Sequence, residues 1–146
     1  MKMVDSSEKE LNVAEIATIA LKNTDSQYDP MVGFPAILTE LNQPNTKYTQ
    51  IGNTLFIVHM GEGGKGFFKA LNADTARNFY QNSMEFCVWA KKELKLNLLV
   101  TEFKEATLET LFKAIAKKPP MPGMGYQVFR SKNGVTRIAL NLGQGE

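Results

Sequence analysis

The stretch from 55 to 94 limits the possible folds of this chain more than any other part of the sequence. Residues 54–60 form a nearly continuous run of β-branched and aromatic residues, which is typical of a buried β-strand. The glycine-rich segment 61–66 ends this run, and the apolar segment 67–71 begins a second strand. A long helical periodicity follows at once. Two strands joined by a tight turn and followed by an amphipathic helix predict a sheet with a helix packed across it.

The long helix is predicted to begin near Asp74 and to end near Leu94. Asn72 or Asp74 is the expected N-cap, because both side chains can accept hydrogen bonds from the first free amides of a helix. The apolar stripe of this helix comprises Ala76, Phe79, Tyr80, Ser83, Cys87, Ala90 and Leu94. Asn82 and Trp89 fall on the opposite, polar side, and both are expected to face water.

The remaining segments complete a mixed arrangement of helices and strands. A capping box at Ser7–Glu10 predicts the start of the first helix. Helices are predicted from Leu11 to Leu21, at 32–41 and at 108–115, and further strands at 48–51, 96–101, 126–131 and 135–142. The order strand, helix, strand indicates a parallel crossover, and Asn133-Gly134 indicates a closing hairpin. We therefore predict one domain over 1–146, of mixed α/β (α+β) class, with the order α-α-β-β-β-α-β-α-β-β and a largely sequential sheet.

Composition excludes several functional classes. The chain carries 17 Lys and Arg against 15 Asp and Glu, a formal charge of +2, and its basic residues are scattered. A nucleic-acid partner is not expected, because phosphate binding needs a basic patch. One Cys and one His preclude an intrachain disulfide and a Cys/His zinc site, so no metal is predicted. The sequence shows neither a secretory signal nor an apolar run of ~18 residues, so we expect no membrane partner and a protein of the cytoplasm or of a virion interior.

His59 is the first candidate for chemistry, because histidine is the side chain best suited to general acid–base catalysis near neutral pH. Its place at the end of an apolar strand also suits a residue that caps the core. Arg77 lies in the first turn of the long helix, where free amides and the helix dipole favour an anion, although Asp74 just before it opposes one. An exposed capping cluster is the alternative interpretation of Arg77. Cys87 lies in the apolar stripe and is predicted to be a core residue.

The glycine-rich segment matches a nucleotide-binding pattern only in its letters. Gly61, Gly63 and Gly66 fit G-x-G-x-x-G, but a dinucleotide-binding loop opens directly into a helix. Here the strand 67–71 intervenes. We therefore predict a hairpin tip whose glycines permit positive φ angles.

The element order resembles that of the GNAT family of acyl-CoA N-acyltransferases, over about residues 13–142. The resemblance implies a central mixed sheet flanked by helices, in which the strands 67–71 and 96–101 splay apart. It implies acetyl-CoA as the donor, bound between these strands, and a small-molecule or protein amine as the acceptor, entering from the other side. Such an enzyme works by aligning the amine with the thioester and by stabilising the oxyanion with a backbone amide. On this resemblance, we expect the donor to be bound at Ala70, Leu71, Asn72, Arg77 and Leu98. His59, the candidate for chemistry named above, is the expected base.

The sequence departs from the family pattern at two places. The family's pyrophosphate loop, Gln/Arg-x-x-Gly-x-Gly/Ala, is replaced by 72–77, which contains no glycine and includes an acid. The family's tyrosine, which often protonates the leaving thiolate, is matched by Phe112. Two functions therefore stay open. One is a divergent GNAT-like N-acyltransferase. The other is a non-catalytic interaction or virion-associated protein of phage origin, which would expose an interface for a partner or for a homo-oligomer, at Trp89 or in the loop 119–125.

Overall fold

The computed structural model describes residues 11–24, 30–103, 106–118, 121, 123–130 and 134–143. Within these ranges the chain forms four helices and six strands. In chain order they are α1 (Val13–Thr24), α2 (Pro30–Leu41), β1 (Thr46–Ile51), β2 (Thr54–Met60), β3 (Lys65–Asn72), α3 (Ala76–Glu93), β4 (Leu98–Phe103), α4 (Ala106–Lys117), β5 (Gly125–Arg130) and β6 (Thr136–Asn141). This mixed α+β order is the one predicted from the sequence.

The six strands form one sheet in the order β1-β2-β3-β4-β6-β5. Neighbouring strands are antiparallel except β3 and β4, which are parallel because α3 connects them. The sheet is largely sequential, as predicted, and only the last two strands exchange places. The closing hairpin places β6 beside β4 and leaves β5 at the edge, which local sequence patterns do not determine.

The first helix is capped by a reciprocal pair of hydrogen bonds. The Glu15 amide donates to Asn12 Oδ1 at 2.8 Å, and the Asn12 amide donates to Glu15 Oε1 at 3.0 Å. This is a capping box, five positions later than the box predicted at Ser7–Glu10, which lies outside the described residues. The cap fixes the start of α1 at Val13.

Each face of the sheet carries its own apolar core. On the α3 and α4 face, the rings of Phe56 and Phe86 stack with centroids 4.3 Å apart, and Phe68 meets Phe112 edge-on at 5.9 Å. Full burial of such a side chain contributes about 1.5–3 kcal/mol. The α1 and α2 face has a smaller described core, formed by Ile16, Ala17, Ala20, Ile37, Leu55, Ile57 and Leu71.

Helix α3 corrects three predictions. Its N-cap is Thr75, whose hydroxyl accepts from the Asn78 amide at 3.2 Å, whereas Asn72 is the last residue of β3 and Asp74 lies in the connection before the helix. Asn82 is buried at 9% exposure rather than facing water, because polar partners from β2 and from the connection meet it there. Trp89 packs against the core, with its ring centroid 6.0 Å from that of Phe86.

Candidate functional site

The two central strands separate at their C-terminal ends. Strands β3 and β4 pair only through Lys65–Leu98, Gly66–Leu99 and Phe67–Val100. Beyond these pairs β3 continues to Asn72 and β4 to Phe103, and no further pairing joins them in the described part of the chain. The result is a wedge-shaped opening in the middle of the sheet, which we call the β3–β4 opening.

The closed end of this opening is fastened by the hairpin tip before β3. The amides of Asn97 and Leu98 both donate to the carbonyl of Gly64, at 2.8 and 3.1 Å. Gly64 has φ of 77°, in the left-handed region predicted for this turn. Gly66 serves close packing instead, because a Cβ there would lie 2.7 Å from Leu96 Cδ1.

Alternation of the backbone shows which groups of β3 point into the opening. The carbonyl of Lys65 accepts from Gly61 on the β2 side, and the amide of Ala73 donates to Asn53 on that same side. Odd-numbered residues of β3 therefore bond β2, and the backbone groups of even-numbered residues point towards β4. Past the last pair with β4, the next such residues are Phe68 and Ala70. A ligand lying in the opening would meet the N–H and C=O of Ala70.

The residues predicted to bind the donor fall at different places around the opening. Ala70 presents its backbone to it. Leu71 is buried with the α1 and α2 core, and Asn72 turns its side chain into the connection before α3. Leu98 lies at the closed end, paired with both neighbouring strands. Arg77 is exposed in the first turn of α3.

The connection from β3 to α3 is closed by a carboxylate. Asp74 Oδ2 accepts from the Asn53 amide at 2.8 Å and from Asn82 Nδ2 at 2.8 Å. Its other oxygen, Oδ1, accepts from Asn78 Nδ2 at 3.4 Å. Asn82 Nδ2 also donates to the buried hydroxyl of Thr54 at 3.0 Å. We call Asn53, Thr54, Asn72, Asp74 and Asn82 the junction cluster.

The backbone amides of the connection are also used inside the chain. Ala73 donates to the Asn53 carbonyl at 2.9 Å, Asp74 donates to Asn72 Oδ1 at 3.0 Å, and Asn78 donates to its cap Thr75. A diphosphate binds a helix N-terminus through such amides. Because internal acceptors take these three and a carboxylate lies among them, the residues of this connection do not fit the diphosphate of a CoA molecule.

A second polar group lies on the α2 side of the sheet. Glu40 of α2 bonds His59 Nε2 through Oε2 at 2.6 Å and Lys69 Nζ through Oε1 at 2.7 Å. Burial by itself would raise the pKa of Glu40, but hydrogen bonds from Lys69 and His59, together with their positive charges, outweigh it, so this pKa lies below its ordinary 4.5. The side chain of Thr46 meets the other ring nitrogen of His59, Nδ1, at 3.2 Å.

The structure thus provides the orienting carboxylate that the sequence does not reveal near His59. Glu40 is 19 positions away, and the only signal for it is a single acid in an otherwise uncharged helix, α2. However, both ring nitrogens of His59 already have partners within the chain. His59 also lies on β2, so that β3 stands between it and the β3–β4 opening.

Two further side chains bear on proton transfer. Phe112 is buried at 5% exposure against Phe68, where the resemblance would place a tyrosine. Burial raises the pKa of the Cys87 thiol to about 12, so this thiol stays protonated and belongs to the core, as predicted. Neither supplies an acid to the opening.

A cavity of about 390 Å³ lies on the face of the sheet opposite α3, beside the open end of β4. Glu102, two residues after the last pair with β3, lines it together with Arg137, whose Nε donates to Glu102 Oε2 at 2.8 Å. Phe129, Arg130 and Val135 complete the lining. Both side chains of this pair are about half exposed.

No helix in the described ranges is both long and apolar enough to cross a membrane. Among the same residues, no group of three or more His, Cys, Asp or Glu side chains could hold a metal ion.

Neither a protein-family model nor a curated relative matches this sequence. Solved structures do match its fold. Spermidine N-acetyltransferase SpeG from Vibrio cholerae, an F149A mutant, aligns with TM-score 0.59 and 9% identity over 92% of this chain and 94% of that one. The ribosomal-protein-S18-alanine N-acetyltransferase from Escherichia coli gives TM-score 0.59 and 11% identity over 94% of each chain. A chimera of SpeG and hSSAT gives 0.55 and 9%.

These neighbours are GNAT-family N-acetyltransferases, so this chain has a GNAT-like fold, a mixed sheet flanked by helices. The fold predicted from the element order is confirmed. At this level of identity the likeness concerns the fold, and the chemistry has to be argued from the residues of the chain.

Proposed function

We propose that this chain is a divergent N-acyltransferase that moves an acyl group, such as acetyl, from a thioester to an amine. The observation that carries the proposal is the separation of β3 and β4 after three paired residues. A parallel sheet that opens at the carboxyl ends of its strands offers a cleft with unpaired backbone groups on both sides. Its neighbours in fold act as N-acetyltransferases, and they support this class of reaction.

The open edge of β3 suits the extended arm of an acyl thioester. An arm that contains amides, as pantetheine does, can pair with a strand edge as an additional strand would. The N–H of Ala70 then lies where it can donate to the oxygen of the thioester carbonyl. Attack by the amine nitrogen forms the C–N bond, the C–S bond breaks, and the thiolate leaves with a proton from the attacking amine or from water. The chain contributes alignment and one oxyanion donor.

An amine acceptor would approach from the face opposite α3. The cavity beside the open end of β4 lies on that face and carries the Glu102 carboxylate, which can attract an ammonium group. Spermidine and an alanine of a ribosomal protein, which the neighbours' names give as their substrates, both present amine nitrogens. We therefore propose a small-molecule or protein amine as the acceptor.

The proposal is tested by removing the N–H of Ala70. Ala70→Pro deletes this donor while leaving the β2–β3 ladder intact, because the Ala70 backbone points away from β2. Ala70→Ser keeps the donor and is the matched control. With acetyl-pantetheine and a panel of primary amines, we expect Ala70→Pro to lose on the order of 100-fold or more in thiol release, as for other oxyanion donors.

Equal rates for a folded Ala70→Pro and for Ala70→Ser would remove Ala70 from the mechanism. No heat of binding for any acetyl thioester at millimolar concentration would overturn the acyltransferase proposal itself. Circular dichroism of both variants verifies that the sheet is retained.

A non-catalytic role on the same fold is the second candidate, and three observations favour it. Both ring nitrogens of His59 have partners, and Phe112 has no proton to give. Edge strand β5 exposes Tyr126 and Phe129, at 37% and 52%, which suits a surface for a partner or a second copy. A virion-associated protein of phage origin would fit this candidate. Light scattering with and without Phe129→Glu tests it, and a monomer in both cases would count against a homo-oligomer.

A further inference from the structure

We infer that the acyl donor of this chain is recognised through its acyl-pantetheine arm alone, and that Asp74 excludes a donor's diphosphate from the start of α3. The inference rests on the proposed function, since it concerns the donor of the same reaction. The expected donors are thioesters that lack a nucleotide diphosphate, or thioesters whose diphosphate does not contact the protein.

The path of the thioester arm determines where a diphosphate attached to it would lie. A thioester arm in the β3–β4 opening runs along the C-terminal half of β3, and β3 leads directly to the N-terminus of α3. A helix N-terminus ordinarily attracts anions through its first amides and the positive end of the helix dipole. Anything attached to the far end of the arm would meet the connection 73–75.

Asp74 places an internal carboxylate in this connection, bonded to the β1–β2 turn and to α3. Its carboxylate is held from both sides of the connection, by the Asn53 amide of the β1–β2 turn and by Asn82 of α3, each at 2.8 Å. The fit is close. A Cβ built on Gly52 would lie 3.0 Å from Asp74 Oδ2 and 2.9 Å from Asn82 Nδ2.

The carboxylate cannot turn away without loss to the structure. Asn82 Nδ2 bonds both Asp74 and the fully buried Thr54, so moving Asp74 would leave a buried donor with one partner fewer. Such buried polar groups are costly to leave unsatisfied. The negative charge is therefore a fixed part of the connection and repels a second anion placed there.

Arg77 does not replace the missing amides. It is exposed in the first turn of α3, and it can attract anions only as a solvated surface charge, which salt screens. Arg77→Glu should accordingly leave the affinity for an uncharged thioester unchanged.

The test compares donors on the whole chain by calorimetry. The probes are acetyl-CoA, acetyl-pantetheine and S-acetyl-N-acetylcysteamine, with adenosine 3′,5′-bisphosphate as the isolated nucleotide end. We expect acetyl-pantetheine to bind within about threefold of acetyl-CoA or more tightly, and the bisphosphate not to compete with it. Preference for acetyl-CoA by about 100-fold or more, or competition by the bisphosphate, would overturn the inference while leaving the acyltransferase function in place.

A second experiment compares the same donors on the Asp74→Asn variant. Its amide oxygen can keep the bonds from Asn53 and Asn82, and the charge is lost. We expect its affinity for acetyl-CoA to rise about tenfold relative to acetyl-pantetheine, as removal of one like charge allows. Glu40→Gln makes the same change of charge on the other side of β2 and should not alter the ratio. An unchanged ratio in a folded Asp74→Asn would also overturn the inference. Failure of all three thioesters to bind would instead refute the proposed function.

Discussion

Two carboxylates of this chain are hydrogen-bonded in different ways. Glu40, between α2 and the sheet, holds two basic side chains, His59 and Lys69, at 2.6 and 2.7 Å. Asp74, at the junction of β3 and α3, is held by neutral donors, a backbone amide and the side chains of Asn78 and Asn82. Glu40 is thus paired with positive charge, whereas Asp74 keeps its negative charge and is stabilised by dipoles.

The two carboxylates therefore have different roles. Glu40 connects structural elements, whereas Asp74, in our proposal, also restricts which acyl donor can bind. Glu40, His59 and Lys69, which we call the Glu40 group, connect α2, β2 and β3. The charge of the Glu40 carboxylate is balanced by its two basic partners. The junction cluster connects β2, β3 and α3 too, but it leaves a negative charge at the open end of the central strands. We therefore expect substitutions in the junction cluster to loosen α3, and substitutions at Glu40 to affect only the contacts of Glu40 itself.

The largest effect is expected in the rate of thiol labelling at Cys87, a core residue of α3. Raising the thiol pKa from 9.0 to about 12 lowers the thiolate fraction near pH 8 by about 10³, so labelling in the folded protein should be slower by at least that factor than in denaturant. Asn82→Ala should restore part of the reactivity, because it releases α3 from the junction, and Glu40→Gln should not. Rapid labelling of the folded wild-type chain would contradict the packing of α3.

The stability of the junction cluster is tested next, at Asn82. Asn82→Ala removes the donor shared by Thr54 and Asp74 and should lower the free energy of unfolding by about 2–3 kcal/mol, since it leaves buried polar atoms unsatisfied. Urea unfolding followed by circular dichroism measures this.

Asn78→Ala is the matched control for that measurement. Asn78 donates to the same carboxylate, but it is exposed and its bond is 3.4 Å long. We expect a change of less than about 0.5 kcal/mol, as for an ordinary surface substitution. Equal losses of unfolding free energy for Asn82→Ala and Asn78→Ala would mean that burial does not determine the stability of the junction cluster. The fixed position of Asp74 would then lose its support.

The sequence predicts the fold better than the site, for a physical reason that these residues illustrate. The β2–β3 hairpin depends on turn residues next to each other in the chain, and the sequence predicts it correctly, including a glycine of its tip, Gly64, whose φ is 77°. Asn82 was assigned to the solvent side because helical periodicity counts polarity and contains no information about Thr54, 28 positions away. Glu40 was missed for the same reason. Buried polar pairs depend on tertiary contacts, which local patterns do not encode.

A smaller effect on the free energy of unfolding is expected for a substitution at Glu40. Glu40→Gln should lower the free energy of unfolding by about 1 kcal/mol at neutral pH, a value kept small because Lys69 is half exposed and solvent screens its charge. The pKa of Glu40 is lowered from 4.5, so the folded state binds its proton more weakly than the unfolded state does. The contribution is then fully present above pH 4.5 and is lost as the pH falls through the lowered folded pKa.

That sign can be checked by urea unfolding of wild type and Glu40→Gln at several pH values. The difference between the two proteins should be present at pH 5 and should vanish as the pH falls through the lowered pKa of Glu40. A difference that instead appeared as the pH fell would show that burial outweighs the partners of Glu40.

The smallest effect is expected for acyl transfer by His59→Asn. His59 bonds Glu40 and Thr46 through its two ring nitrogens, and β3 separates it from the β3–β4 opening, so proton transfer from the reacting amine has no direct path to it. We expect kcat/KM to change by less than about threefold, with an unaltered pH profile, whereas loss of a general base costs about 10²–10⁴-fold. A loss of that size, with a displaced pH profile and an unchanged melting temperature, would identify His59 as the base and Glu40 as the carboxylate that orients it. The Glu40 group would then be catalytic, and the contrast between the two carboxylates would be one between a base and an anion barrier.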